Sequence, residues 1–498
     1  MTKWEELLLL LKEVAYYGHT LSLFDADRET MLPNNAGPGR DEIKAFMAGK
    51  AAEMFTRPEI GEVLAQLASV TDLDPGRANL VRMIERGYTR AKAVPLHLVS
   101  ALAKATSQAH RDWTQAKDRA NFDVFLPSLR QVLNLAKERA SALGSGHHPY
   151  DDLAPDFEPG ITAEETKRVL FPLRQPLTDL VRRIAEAKPV DESCIQGFFA
   201  PDRQEIFSRL ILARMGFDFG SGRLIAVPGH PMTITVGPND IRLTTKIKPN
   251  DIKICLFGTM HEGGHGLYCQ GAASDFDWLW FDIGGLAYSM ATHESQSRFW
   301  ENVVGRSMAF WEYFFPFLKA IMPEFQEVPL DAFWKAINAS KPSLIRTEAD
   351  EVTYGLHILL RFELELALLS GELDPADLPA AWNAKMKEYL GITPENDAVG
   401  CLQDVHWSVG YIGYFPSYLL GNLMTAMIRE RMETDMSLTA EIGSGKLLAV
   451  KAWLKDHIHD WGMAYEMPAL VRSLTGEDLN PGPYLAYLEE KYSQVYNL

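Results

Sequence analysis

Along most of the 498-residue chain, apolar side chains return every three to four positions. That is the spacing of a helix with one buried face. Residues 377–391, DLPAAWNAKMKEYLG, show it in full. Asp377 stands as an N-cap, Pro379 falls in the first turn, and Trp382, Met386 and Tyr389/Leu390 share one face. Gly391 and Pro394 then supply the stop. Residues 40–55, 125–144 and 363–371 predict helices on the same grounds. One region changes period: GRLIAV, MTITV and DIRLTTKI, within 222–247, alternate and are rich in β-branched residues. Gly237-Pro238-Asn239 offers a turn between the last two. The pattern therefore predicts a mostly α protein with a small antiparallel sheet just before His261. With no repeat, low-complexity tract or long Gly/Ser linker, the chain reads as one domain, 1–498.

Composition changes this picture little. Hydrophobic residues at 47% suffice for a sizeable core. A net charge of −17 argues against a nucleic-acid binder, which normally carries a basic patch. Cys194, Cys255, Cys269 and Cys401 are too scattered for a disulfide framework or a cysteine zinc site, and read as thiols of a reducing compartment. The N-terminus lacks the basic start and small-residue cleavage site of a secretory signal, and no apolar stretch is long enough to span a bilayer. These features predict a cytoplasmic protein without membrane partners.

The stretch His261-Glu-Gly-Gly-His265 carries the chemistry. On a helix, residues i and i+4 lie one above the other, so two imidazoles can face one ion while Glu262 projects beside them. Two zinc ligands plus a carboxylate able to take a proton from an attacking water is the H-E-x-x-H mechanism. With 13 histidines in 498 residues, chance supplies only about 0.02 such motifs. The adjacent glycines, each costing on the order of 1 kcal/mol in a helix, also need a reason beyond local stability. A third ligand is required. The metzincin spacing would place Gly at 268 and His at 271, but the sequence has Tyr268 and Gly271, which excludes that class. Glu294, in ATHESQSRFWENV (291–303) with His293 and Gln296, is the alternative, although a glutamate on a helix is more often solvated surface. His19, His97, His110 and His357 stand alone and read as packing or surface residues. His147-His148 reads as loop, and His457 and His459 fall on different helix faces. An exposed strand edge beside such a metal could hold a peptide extended by β-pairing.

With these segments side by side, the chain resembles the carboxypeptidase Taq family, the thermostable carboxypeptidase 1 group of zinc-dependent exopeptidases. His261-Glu262-x-x-His265 is followed by His293-Glu294-Ser295-Gln296. Asp240-Ile-Arg242-Leu-Thr244 fits the D-x-R-x-T motif, and Ile345-Arg346-Thr-Glu-Ala349-Asp350 fits I-R-x-x-A-D. Gly400-Cys-Leu-Gln403-Asp404-Val-His406-Trp407 fits G-x-x-Q-D-x-H-W and runs on into GYFPSYLLG; YDDLAPDFEPG (150–160) is also similar. Two departures appear. His230-Pro231-Met232 stands where the family has H-P-F, and FDADRETMLP (24–33) lacks the tryptophan of W-D-x-x-T-x-M-P and has one residue inserted.

The resemblance implies a zincin-like helical fold with a deep active-site groove, a homodimer, and removal of single residues from peptides with a free C-terminus. Broad preference and poor release of proline are implied as well. It places one zinc per chain, with cobalt as a substitute, on His261, His265 and Glu294, within a core of about 255–305. The hairpin region is about 222–248, and substrate recognition falls at about 340–425. Glu262 is then the general base and acid. His406 and Tyr414 are the candidate oxyanion donors, Tyr414 reading equally as a packed aromatic in YIGYFPSY. A terminal carboxylate calls for a guanidinium: Arg346 first and Arg242 second, the latter reading equally as one half of a cross-strand salt bridge with an acid of the same sheet. Tyr418 and His230 complete the substrate side, and Asp350, Gln403 and Asp404 position their neighbours.

Overall fold

The computed structural model describes residues 1–70, 72–144, 146–273, 277–279 and 288–498. Of the expected 255–305 core, 274–276 and 280–287 thus lie outside the described residues. Helices dominate, as the periodicity predicts. Residues 377–391 form helix Leu378–Leu390, closed by Gly391 at φ 70°, and residues 125–144 form Leu126–Leu143, closed by Gly144 at φ 76°. Both glycines occupy the left-handed C′ position that ends helices most cheaply without a Cβ. The helix expected at 363–371 begins earlier, at Tyr354, and runs to Ser370. Almost every side of it is buried, which erases the amphipathic stripe from its first half.

The chain divides into two compact units, each assembled from three segments. The first comprises Met1–Ala91, Asp191–Ile337 and Thr425–Glu477; the second comprises Lys92–Val190, Asn338–Met424 and Asp478–Leu498. In the first unit Phe207, Phe310, Trp311, Phe315, Phe325 and Phe333 build a buried aromatic core. In the second, Tyr150, Phe362 and Trp382 are buried, the Tyr150 and Phe362 ring centroids lying 5.5 Å apart.

The sheet lies in the first unit: β1 (Gly222–Ala226), β2 (Thr233–Gly237) and β3 (Asp240–Thr245). Its order is β1-β3-β2. The β2–β3 pair is the expected antiparallel hairpin, with Thr233 opposite Leu243. The expectation of a wholly antiparallel sheet is corrected, because β1 runs parallel to β3, with Leu224 beside Leu243. Residues 227–232, containing Pro228 and Pro231, carry the chain past the width of one strand, so β3 inserts between β1 and β2. β3 packs on helix Ile252–Gly271, where Thr245 Oγ1 lies 2.9 Å from Thr259 Oγ1.

Candidate active site

Helix Ile252–Gly271 carries the two histidines and begins at Asp251, whose side chain accepts the Lys253 N–H. Its glycines are explained by what lies against them. A Cβ on Gly264 would stand 2.4 Å from Gln296 O and 2.7 Å from Ser297 Cα, so the backbone of helix Met290–Arg298 presses directly on this point. A Cβ on Gly263 would meet Leu212 Cδ2 at 2.5 Å. The missing side chain of Gly264 lets helix Met290–Arg298 approach close enough for Glu294 to reach both imidazoles, while that of Gly263 makes room for helix Pro201–Met215. Glu294 Oε2 lies 3.6 Å from His261 Nε2 and 3.5 Å from His265 Nε2. The three ligand atoms fall within 4.8 Å of one another, the one such group among the described residues.

Surrounding groups fix the orientation of this set. Glu301 Oε2 is 2.9 Å from His261 Nδ1, which selects the Nδ1–H tautomer and leaves the Nε2 lone pair for a metal. His265 Nδ1 is 2.5 Å from His293 Nδ1, so a proton donated there likewise frees His265 Nε2. Burial holds His293 well below the usual imidazole range, assisted by His265, and keeps it a neutral acceptor. Arg298 donates from Nε to Glu294 Oε1 at 2.7 Å and from Nη1 to Glu301 Oε2 at 3.2 Å, tying the two carboxylates together. Burial raises the Glu294 carboxyl, but Arg298 and then His261 outweigh it and hold it far below the usual range. Glu301 falls to about 2 against the same burial, chiefly through Arg298. Glu301 sits on the π-helical turn Phe299–Val304, a local widening that often marks functional sites.

Glu262 is buried and faces the sheet: Thr233 Oγ1, at the start of β2, donates to Glu262 Oε2 at 2.7 Å. Two imidazole nitrogens, one carboxylate and a separate held carboxylate fit a divalent metal in an open, catalytic site rather than a closed four-ligand one.

The second unit holds a separate polar cluster. Arg346 is 6% exposed. It donates from Nε to Asp404 Oδ1 at 2.9 Å and from Nη1 to Tyr354 OH at 3.1 Å, and its backbone N–H is taken by Gln403 Oε1. The Tyr418 ring lies 4.9 Å from the guanidinium, and Tyr418 OH is 3.3 Å from His406 Nε2. Burial lowers His406 to about 3, only partly opposed by Asp404, so it acts as a neutral imidazole. Tyr414 is half-buried, edge-on to Phe157 and Tyr418 with centroids at 5.0 and 5.1 Å. Asp350 accepts bonds from Ser340, Lys341 and Thr353 and holds the turn before helix Tyr354–Ser370.

The structure thus brings His261, His265, Glu262 and Glu294 together, and Arg346, His406, Tyr414 and Tyr418 together. Arg242 is held by Asp240 through two bonds of 2.8 Å, within one strand rather than across the sheet. His230 lies exposed in the β1–β2 connection. Sequence reasoning missed Thr233, Arg298 and Glu301. Arg298 and Glu301 follow Glu294 at i+4 and i+7, a charged stripe in ATHESQSRFWENV that signals one shared face. His459, read from sequence as sharing a helix with His457, instead lies beyond the end of helix Leu447–His457, in a 3-10 turn; it is buried, and its Nε2 lies 3.0 Å from Gln296 Oε1.

The site is thus a His-His-Glu set able to hold a metal ion, beside a separately held glutamate. The sequence pattern of the carboxypeptidase Taq (M32) metallopeptidase family matches residues 6–492. Thermostable carboxypeptidase 1 of Thermus thermophilus is 39% identical, with 99% of each chain covered. Carboxypeptidase 1 of Bacillus subtilis is 35% identical over 99% of each. The crystal structure of the M32 carboxypeptidase from Deinococcus radiodurans superposes with a TM-score of 0.95 at 33% identity, covering 100% of both chains. The chain belongs to the carboxypeptidase Taq (M32) metallopeptidase family and is a metallocarboxypeptidase.

Proposed function

We propose that this enzyme is a zinc-dependent exopeptidase that releases single residues from the free C-terminus of peptides, with broad preference and slow release of proline. His261, His265 and Glu294 hold one zinc per chain, and cobalt substitutes for it. The observation that carries this reading is the convergence of those three ligand atoms beside Glu262, in a chain of carboxypeptidase family. When bound, the cation acts as a Lewis acid that polarises a carbonyl and acidifies water.

The chain's own groups do the rest. Glu262 takes the proton of the attacking water and returns it to the leaving amine. The hydroxyl of Thr233 holds Glu262 Oε2 in place, so the carboxylate needs little reorientation between the two transfers. His406, neutral and buried, and the Tyr414 hydroxyl serve as donors to the developing oxyanion. Arg346 receives the terminal carboxylate with N–H groups not used by Asp404 and Tyr354; Arg242 is the second cation proposed for that role. Tyr418 and His230 contact the substrate. β2 is an edge strand, which supports β-pairing with an extended peptide next to Glu262.

The natural partners in this reading are free-acid peptides and a second copy of the chain, in the cytoplasm. Among the described residues no helix is long and apolar enough to cross a membrane. Mass spectrometry of one peptide, as free acid and as C-terminal amide, with and without chelator, tests the proposal. The acid should shorten one residue at a time and stall at proline, the amide should persist, and chelator should stop the reaction until zinc is restored. Internal fragments, or equal cleavage of the amide, contradict it.

A further inference from the structure

Beneath Arg346 the second unit buries a second guanidinium that the proposed reaction does not use. Arg361, on helix Tyr354–Ser370, is 0% exposed. Its Nε donates to Asp404 Oδ2 at 2.6 Å, while Asp404 Oδ1 serves Arg346. One carboxylate is therefore divided between two buried cations. The other close groups add no negative charge. His357 and His406 are neutral, both held low by burial, and Tyr354 and Tyr418 are phenols. Lys117, whose Nζ donates to Gln403 O, adds positive charge near Asp404. The aromatic faces of Trp382, at 4.5 Å, and Phe415, at 5.7 Å, partly offset the charge on Arg361. Arg361 Nη2 is buried and has no hydrogen-bond partner among the described residues, and the same holds for His357 Nε2 and His406 Nδ1.

Arg346 and Asp404 alone would form a neutral pair, leaving only Lys117, whose Nζ is engaged by Gln403 O, to supply positive charge. Two arginines on one aspartate leave a surplus of one positive charge, and an uncompensated buried charge is costly. We propose that Arg361 is a specificity-determining residue: by sharing Asp404 with Arg346 it keeps the pocket net cationic, so that a carboxylate anion, the free C-terminus of the peptide, completes the charge balance and a neutral amide does not. The inference rests on reading Arg346 as the carboxylate receptor. Arg361 acts through Asp404 and Arg346 and is a positioning residue, not a catalytic one.

The test compares matched free-acid and amide peptides on the metal-loaded wild type, Arg361→Gln and Arg361→Lys, recording kcat and KM separately. Losing one charged interaction should shrink the acid-over-amide preference of Arg361→Gln by about 10- to 100-fold, mainly through KM of the acid. Arg361→Lys, which keeps the charge, should retain most of the preference. Undiminished preference in Arg361→Gln, or equal loss in both variants, overturns the inference while leaving the carboxylate reading of Arg346 intact. No preference in the wild type removes that reading and the inference with it. Should Arg361→Gln fail to fold, Arg361→Met, which keeps an apolar stem beside Trp382 and Phe415 and removes the charge, takes its place in the same comparison, and an undiminished acid-over-amide preference there overturns the inference.

Discussion

Glu365 shows how one buried side chain can shape a site it does not enter. Both its oxygens are used: Oε2 accepts from Trp407 Nε1 at 2.8 Å and Oε1 from Gly413 N at 2.7 Å. It thereby pins both ends of the segment between His406 and Tyr414. Burial pushes its carboxyl up to about 7, against those two donors. In the unfolded chain it titrates near 4.5, so between these values the folded form keeps a proton that the unfolded form has lost. Stability from this group is therefore present below 4.5 and is lost as pH rises through the folded value, by about 1.4 kcal/mol per pH unit within the window. Glu365→Gln lacks that dependence, so urea denaturation across the window should show the wild type's advantage over the variant shrinking as pH rises. A pH-independent difference contradicts the assignment. Nothing in the sequence around Glu365 marks it, because its partners lie 42 and 48 positions away. His261 and His265 were legible because four positions along a helix settle their proximity.

Among the elements, the contact of helices Ile252–Gly271 and Met290–Arg298 matters most. The glycine pair looks costly in sequence, and the approach of Gln296 O to Gly264 supplies the reason. Gly264→Ala should force the helices apart, destabilising the fold by about 1–3 kcal/mol as overpacking does, and should weaken metal retention because Glu294 moves with its helix. Gly49, exposed on helix Gly37–Phe55, is the control, since a Cβ added there would have nothing within 4 Å. Gly49→Ala should gain about 1 kcal/mol and leave metal binding untouched. Thermal melts and metal content measure both. A neutral Gly264→Ala contradicts the close-packing account. The β2–β3 hairpin was readable from its turn residues, whereas the parallel β1–β3 pairing was not: alternation sets which face is buried but not which neighbour a strand chooses.

For the whole molecule, the periodicity conveyed a helical class and the motif a metal centre, while the two units left no trace in composition. Of their five boundaries, two, 91/92 and 424/425, fall inside helices Pro75–Ala93 and Phe415–Asp435, where no linker chemistry can appear. The arginine–aspartate cluster was readable only as separate motifs at 346 and 404; Arg361, inside an apolar helix, gave no hint of joining them. The central claim is that three side chains hold the metal while Glu262 moves the proton. It is tested most directly by Glu262→Gln, with metal content and turnover measured on the same preparation. Metal should remain at one per chain, because Glu262 is not a ligand, while kcat should fall by about 10²–10⁴-fold. Turnover at the wild-type rate, or loss of the metal together with activity, would contradict it.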